Sequence, residues 1–162
     1  MTTPSRDPVP RPLPHDPDLE VDERADGTPI AVHLTPGFIA LVAVGGAAGS
    51  IARHGVEQLL GSSDGLPIGT LSVNLAGAFL LGVPIEALAL RGSDAGRRRA
   101  ARLLLGTGFL GGYTTCSALA GEADGLLRDG RAGLAVAYVF ATVVVGLGAS
   151  LAGVLCARAV AR

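Results

Sequence analysis

Of the 162 residues, 49% are hydrophobic and only 17% are charged, with a mean hydropathy of +0.47. An ordinary soluble domain carries about a quarter charged residues, so this balance argues against one, and no nucleic-acid partner is expected. All thirteen basic residues are arginine; without a lysine, a phosphate-binding P-loop cannot be completed.

The net charge of −1 hides an uneven spread. Residues 1–35 hold seven acids against three arginines, whereas residues 36–162 hold ten arginines against seven acids. The first segment also holds seven of the ten prolines and no long apolar run. Such a stretch buries too little surface to offset its ordering entropy. It lacks the apolar region of a cleaved leader. Residues 1–35 therefore read as a disordered, acidic, Pro-rich cytoplasmic tail, followed by one domain over 36–162.

Four apolar segments follow, each long enough for the ~20 residues that cross a bilayer core. They run over 36 to about 60, about 67 to 90, about 99 to 127 and about 132 to 158. The connections at 61–66, 91–98 and 128–131 are short, which predicts antiparallel neighbours in a four-helix membrane bundle. The expected fold class is an all-α membrane protein. Gly45 and Gly49 form a G-x-x-x-G, and Gly46 with Ser50, Gly146 with Ser150 and Ala149 with Gly153 repeat the spacing. Small residues four apart let membrane helices approach closely.

Arginine sets the expected orientation. The side holding both termini and the 91–98 loop carries Arg91, Arg97, Arg98, Arg99, Arg102, Arg158 and Arg162. The other side carries Arg128 and Arg131, with Arg53 near the end of the first span. The positive-inside rule then places the termini in the cytoplasm, in a multi-pass protein of the cell's inner (plasma) membrane.

The third span contains G-T-G-F-L-G-G-Y-T-T-C-S-A-L-A-G-E at 106–122. Each glycine costs a helix interior about 1 kcal/mol relative to alanine. Freed backbone groups at membrane depth survive only when buried in protein or lining a polar cavity. The stretch is thus either a close-packing face or a site. It matches G-x-G-x-x-G at 106–111, but a dinucleotide fold needs a preceding strand, and here a membrane span surrounds it.

Polar residues within the spans are the other clues. Asn74 sits mid-span beside Thr70 and Ser72, where an amide must find partners and most simply bonds a neighbouring helix. Tyr138 and Thr142 are four apart and share a helix face, although a threonine hydroxyl often bonds its own backbone. Arg53 either snorkels or pairs with Glu57 at i+4. Glu122 is an acid at the end of the glycine-rich stretch, a functional candidate if it lies within the membrane and an interfacial residue otherwise. Cys116 and Cys156 match no zinc or redox spacing and read as small buried hydrophobes. His15 and His33 fall in the tail and His54 stands beside Arg53, so no catalytic constellation converges and no enzyme is expected.

Three stretches together resemble the bacterial fluoride channels called Fluc or CrcB: G-G-A-A-G-S-I-A-R-H (45–54), G-T-L-S-V-N-L-A-G-A-F-L-L-G (69–82) and G-F-L-G-G-Y-T-T-C-S (108–117). The resemblance spans essentially all of 36–162. It implies four transmembrane helices with a broken third helix, in an antiparallel, dual-topology-type dimer within membrane lipid. It implies a structural sodium ion at the dimer centre, held by the carbonyls of Gly111 and Thr114. Oxygen ligands suit such a hard cation. It also implies a pore for the fluoride ion lined by Asn74, Tyr138, Thr142, Thr115 and Ser117, through which cytoplasmic fluoride leaves passively.

The chain departs from the family at Cys116 and Leu119, where pore-lining phenylalanines usually stand. Aromatic edges are electropositive and suit an anion; a thiol is a poor substitute and leucine offers no such edge. Gly146 likewise replaces a hydroxyl residue. The strong arginine bias disfavours insertion in both orientations. The expectation is therefore an obligate pair with a paralogous, oppositely oriented subunit that supplies the phenylalanines. Two alternatives stay open: a non-conducting scaffold subunit of such a pair, and a small four-helix proton-coupled exporter. The exporter usually needs a mid-span acid, whereas Glu57, Glu86 and Glu122 all sit near span ends.

Overall fold

The computed structural model describes residues 21–23, 29–31, 35–63, 65–90 and 96–161. The chain divides into two units, Met1–Pro36 and Gly37–Arg162. In the first, strands β1 (Val21–Glu23) and β2 (Pro29–Ala31) pair antiparallel, with Val21 opposite Ala31 and Glu23 opposite Pro29. The rest of the tail, and the disorder expected of it, lies outside the described residues.

Among its described residues, the second unit is made of helices joined by short connections, with one bridge between Ser63 and Leu66. Its elements are α1 (Pro36–Leu60), α2 (Ile68–Ala89), α3 (Arg97–Ala101), a π-helix over Arg102–Leu110, α4 (Gly111–Tyr113), α5 (Cys116–Arg128) and α6 (Ala132–Val160). Segments α3 to α5 form one span, so four helical spans result, of 25, 21, 32 and 29 residues. All four are long and apolar enough to cross a membrane. The predicted boundaries hold to within a few residues. Helices that are apolar on every side belong in lipid. Accordingly Ile51, Val136, Phe140 and Leu147 all point outward at 68–74% exposure.

Glycine decides which helices touch. On α1, a Cβ at Gly45 would collide with the Leu104 carbonyl, and one at Gly49 with the Phe109 carbonyl. From the facing helix, a Cβ at Gly108 would sit 2.9 Å from the Val42 carbonyl, and one at Gly112 would collide with that of Gly46. The 45–49 repeat is therefore the seat of the third span. Helices α2 and α6 meet similarly, Gly82 facing the Ser150 carbonyl and Gly153 that of Phe79. Close backbone approach by small residues is what holds membrane helices together, since lipid leaves little hydrophobic drive between them. Gly49→Ala is expected to force the first and third spans apart at a cost of about 1–3 kcal/mol, measured as lost thermal stability in detergent.

Both ends of the bundle are tied. Arg158 donates to Glu86 at 2.7 Å between α6 and α2. At the other end, loop 61–67 lies beside Arg131, whose guanidinium would meet a Cβ at Gly65. Arg53 approaches Glu57 only to 4.0 Å, a loose contact rather than a locked pair. The expectation that the cysteines are buried is not met: Cys116 and Cys156 are both free and exposed. A four-helix bundle has little interior, and both lie on faces the bundle itself does not cover.

Candidate ion pathway at the helix break

The third span changes its winding before it breaks. Over Arg102–Leu110 the backbone is π-helical, a rare i→i+5 pattern that concentrates at functional sites. It tightens to α over Gly111–Tyr113, where the Phe109 and Tyr113 rings stack with centroids 6.0 Å apart. The helix then stops. Thr114 turns extended (φ −78°, ψ 159°), and so does Thr115 (φ −150°, ψ 124°), before α5 starts at Cys116. The break falls near the middle of the span, as the family resemblance implies.

Two side chains sustain it. Asn74 of α2 holds the two peptides that flank the Thr115 Cα: its Oδ1 accepts the Thr115 N–H at 2.8 Å and its Nδ2 donates to the Thr115 carbonyl at 3.0 Å. The Thr115 hydroxyl caps α5, accepting the Ala118 N–H at 3.2 Å. An N-cap of this kind satisfies one of the amides that a helix start leaves orphaned.

Those bonds decide which carbonyls are released. In a continuous α-helix the N–H of residue i bonds the carbonyl of i−4, so Gly111 would receive Thr115 and Thr114 would receive Ala118. Both amides are diverted, to Asn74 and to the Thr115 hydroxyl. The neighbouring Leu110 carbonyl, by contrast, accepts both the N–H and the hydroxyl of Thr114 at 3.0 Å. Gly112 keeps a long contact of 3.4 Å from Ser50. The break thus leaves Gly111 and Thr114 without their helical donors, and the Gly112 and Tyr113 carbonyls likewise receive no amide from the first turn of α5.

Beside the break lies a cavity of about 390 Å³, lined among others by Asn74, Gly111, Thr114, Thr115 and Thr142. Cys116, Leu119 and Gly146 line it too. It carries opposite polarities on its two sides. The C-terminal end of α4 presents carbonyls, the negative end of a helix dipole, and the N-terminal end of α5 presents amides, the positive end. Ser117 does not line the cavity, although its hydroxyl lies 3.2 Å from that of Thr115. Thr142 contributes less than expected, since its hydroxyl is donated to its own backbone at Tyr138, 2.7 Å away. Among the described residues no three His, Cys, Asp or Glu side chains come together as metal ligands, so backbone oxygens are the cation-compatible groups here.

Tyr138 lies elsewhere. It is buried, and its hydroxyl donates to Glu122 Oε2 at 2.6 Å. The other carboxylate oxygen of Glu122 accepts from the buried Thr70 hydroxyl, also at 2.6 Å. Glu122 sits six residues before the end of α5 and Tyr138 six after the start of α6, roughly 9 Å in from the helix ends at 1.5 Å per residue. The acid is therefore inside the bundle and joins three helices. It lines a second cavity of about 320 Å³ with Thr70, Ala118 and Glu57. The sequence marked Glu122 as functional only if it lay within the membrane, but gave no sign of its partners.

Four spans, with the third broken at mid-depth beside a half-open and mostly apolar cavity, define a multi-pass membrane protein. The family model "CrcB-like protein, Camphor Resistance (CrcB)" matches residues 40–154, and the chain belongs to that family. It is 43% identical over 129 residues to the Fluoride-specific ion channel FluC 2 of Leifsonia xyli, covering 80% of this chain and 89% of that protein. It is 46% identical over 118 residues to the Fluoride-specific ion channel FluC of Paracoccus denitrificans, with 72% and 91% covered. Against a Thermus thermophilus protein of the same name it is 44% identical over 109 residues, with 66% and 84% covered.

Proposed function

We propose that the chain is a subunit of a fluoride-specific ion channel through which cytoplasmic fluoride leaves passively, relieving its toxicity. It is a channel component and not an enzyme. The observation that carries this is the donor set at the break. Fluoride is small and strongly hydrated, so a pore must replace its water with hydrogen-bond donors. Beside the cavity stand the second N–H of the Asn74 amide, the hydroxyl of Thr115 and the Cys116 amide at the start of α5, which has no intrahelical acceptor. On α6 the hydroxyls of Tyr138 and Thr142 are already donated, to Glu122 and to the Tyr138 carbonyl, so neither adds a free donor here.

The carbonyls of Gly111 and Thr114 would hold a structural sodium ion, which supplies fixed positive charge at the centre of the assembly. Two carbonyls do not fill a coordination sphere, and an antiparallel partner with its own break completes it. Two features favour a paralogous partner over a second copy. The arginine bias fixes one orientation in the bilayer, and Cys116 and Leu119 leave the cavity without aromatic edges. Lipid covers the remaining apolar faces.

Cells stripped of their own fluoride export test the proposal. The chain together with an oppositely oriented family member that carries both phenylalanines is expected to restore growth in fluoride. The chain alone is expected not to. Failure of the pair to rescue would contradict the assignment; full rescue by the chain alone would remove the need for a partner. The cavity without phenylalanines also favours a second reading, in which this subunit supports the pair but conducts nothing itself.

A further inference from the structure

We infer that Asn74 is a positioning residue for the cation site: by taking the Thr115 N–H, its side chain keeps the Gly111 carbonyl available as a ligand. The inference rests on the proposed sodium site. It adds that one amide serves both ions, with Oδ1 holding the cation's ligand in place and Nδ2 facing the anion's path.

The geometry carries it in three steps. Thr115 N–H is the group that an unbroken helix would give to Gly111, and it goes to Asn74 Oδ1 at 2.8 Å instead. The return bond, Asn74 Nδ2 to the Thr115 carbonyl at 3.0 Å, holds the following peptide, so the backbone is restrained on both sides of the Thr115 Cα. An asparagine amide carries an acceptor and a donor side by side, which is what pairing with the N–H and C=O of one residue demands. Thr115 does the same for the next ligand: its hydroxyl holds the Ala118 N–H that would otherwise close on Thr114. Without the acceptor on residue 74, the unpaired Thr115 N–H has the Gly111 carbonyl as its nearest helical partner. At membrane depth an amide without an acceptor is costly, so the helix mends and the ligand is lost.

The two functions of the amide can be separated by substitution. Asn74→Asp keeps an oxygen to accept the Thr115 N–H but loses the donor and places a negative charge on the anion's path. Asn74→Ala loses both. The measurement is the sodium dependence of thermal stability of the assembled channel in detergent, with an organic cation in place of sodium as reference and the partner subunit unaltered, alongside fluoride efflux from liposomes. The unsubstituted channel is expected to be stabilised by sodium. Asn74→Asp is expected to keep that response within about twofold in sodium concentration while efflux is lost. Asn74→Ala is expected to need at least tenfold more sodium, or to show no response.

A wild-type sodium response in Asn74→Ala would overturn the inference and leave the sodium site standing. Absence of any response in the unsubstituted channel would overturn the site itself. Should Asn74→Ala fail to assemble, Asn74→Asp decides alone: loss of both sodium response and efflux would contradict the separation of roles.

Discussion

Asn74→Ala is expected to reduce fluoride efflux by at least about a hundredfold when this subunit is assembled with its partner. The substitution removes two hydrogen bonds to the backbone of one residue, Thr115, and one free donor. Each bond left unmade at a buried site costs roughly 1–3 kcal/mol, and ~2.7 kcal/mol corresponds to two orders of magnitude in rate. The effect also separates the two roles open to this chain. A conducting subunit loses most of its flux with Asn74, whereas a scaffold subunit leaves the flux of the pair unchanged. Efflux from liposomes read with a fluoride electrode distinguishes them.

The largest expected effect on stability lies at Glu122. Its carboxylate accepts from Thr70 and Tyr138, both at 2.6 Å and both 3% exposed. Glu122→Ala strands two buried hydroxyls on two different helices. At roughly 1–3 kcal/mol for each, the loss approaches the whole margin of ~5–15 kcal/mol that keeps a protein folded. We expect Glu122→Ala to fail to yield monodisperse protein. Glu122→Gln keeps one carbonyl acceptor, and Tyr138→Phe removes one donor without stranding another, so both are expected to assemble with partial losses. Thermal unfolding of the three variants in detergent checks the order; equal stability of Glu122→Ala and Tyr138→Phe would contradict it.

Much of the architecture was legible because bilayers impose strong rules. Span length and composition marked four helices, whereas composition left the 106–122 stretch as either a packing face or a site, and only the family resemblance implied a break there; the four glycines themselves lie in helical backbone. The 45–49 glycine repeat correctly indicated where backbones meet. Asn74 stood out as an amide in lipid. Its partner did not, since the bond to Thr115 joins a side chain to a peptide 41 residues away, on a different helix. Glu122 was hidden for the same reason: its partner Thr70 is 52 residues earlier, and nothing local to either residue specifies the pairing. The π-helical winding of Arg102–Leu110 depends on which carbonyl each amide selects, a choice that hydrophobic periodicity does not record. Exposure of Cys116 and Cys156 was misjudged because cysteine is usually buried in a globular interior, which this thin bundle lacks.

The break therefore has a physical division of labour. Glycines on α1 and the third span bring the backbones together, Asn74 and Thr115 keep the helix from closing, and the released groups face a cavity with a carbonyl side and an amide side. On the proposed reading, Cys116 and Leu119 on that cavity's wall are the positions at which a partner would supply aromatic edges. The most direct test loads liposomes with fluoride or with chloride and reconstitutes this subunit with an oppositely oriented family member. Rapid release of fluoride with chloride retained is the predicted result; release of both anions alike, or of neither, would contradict the assignment of this chain to a fluoride pathway.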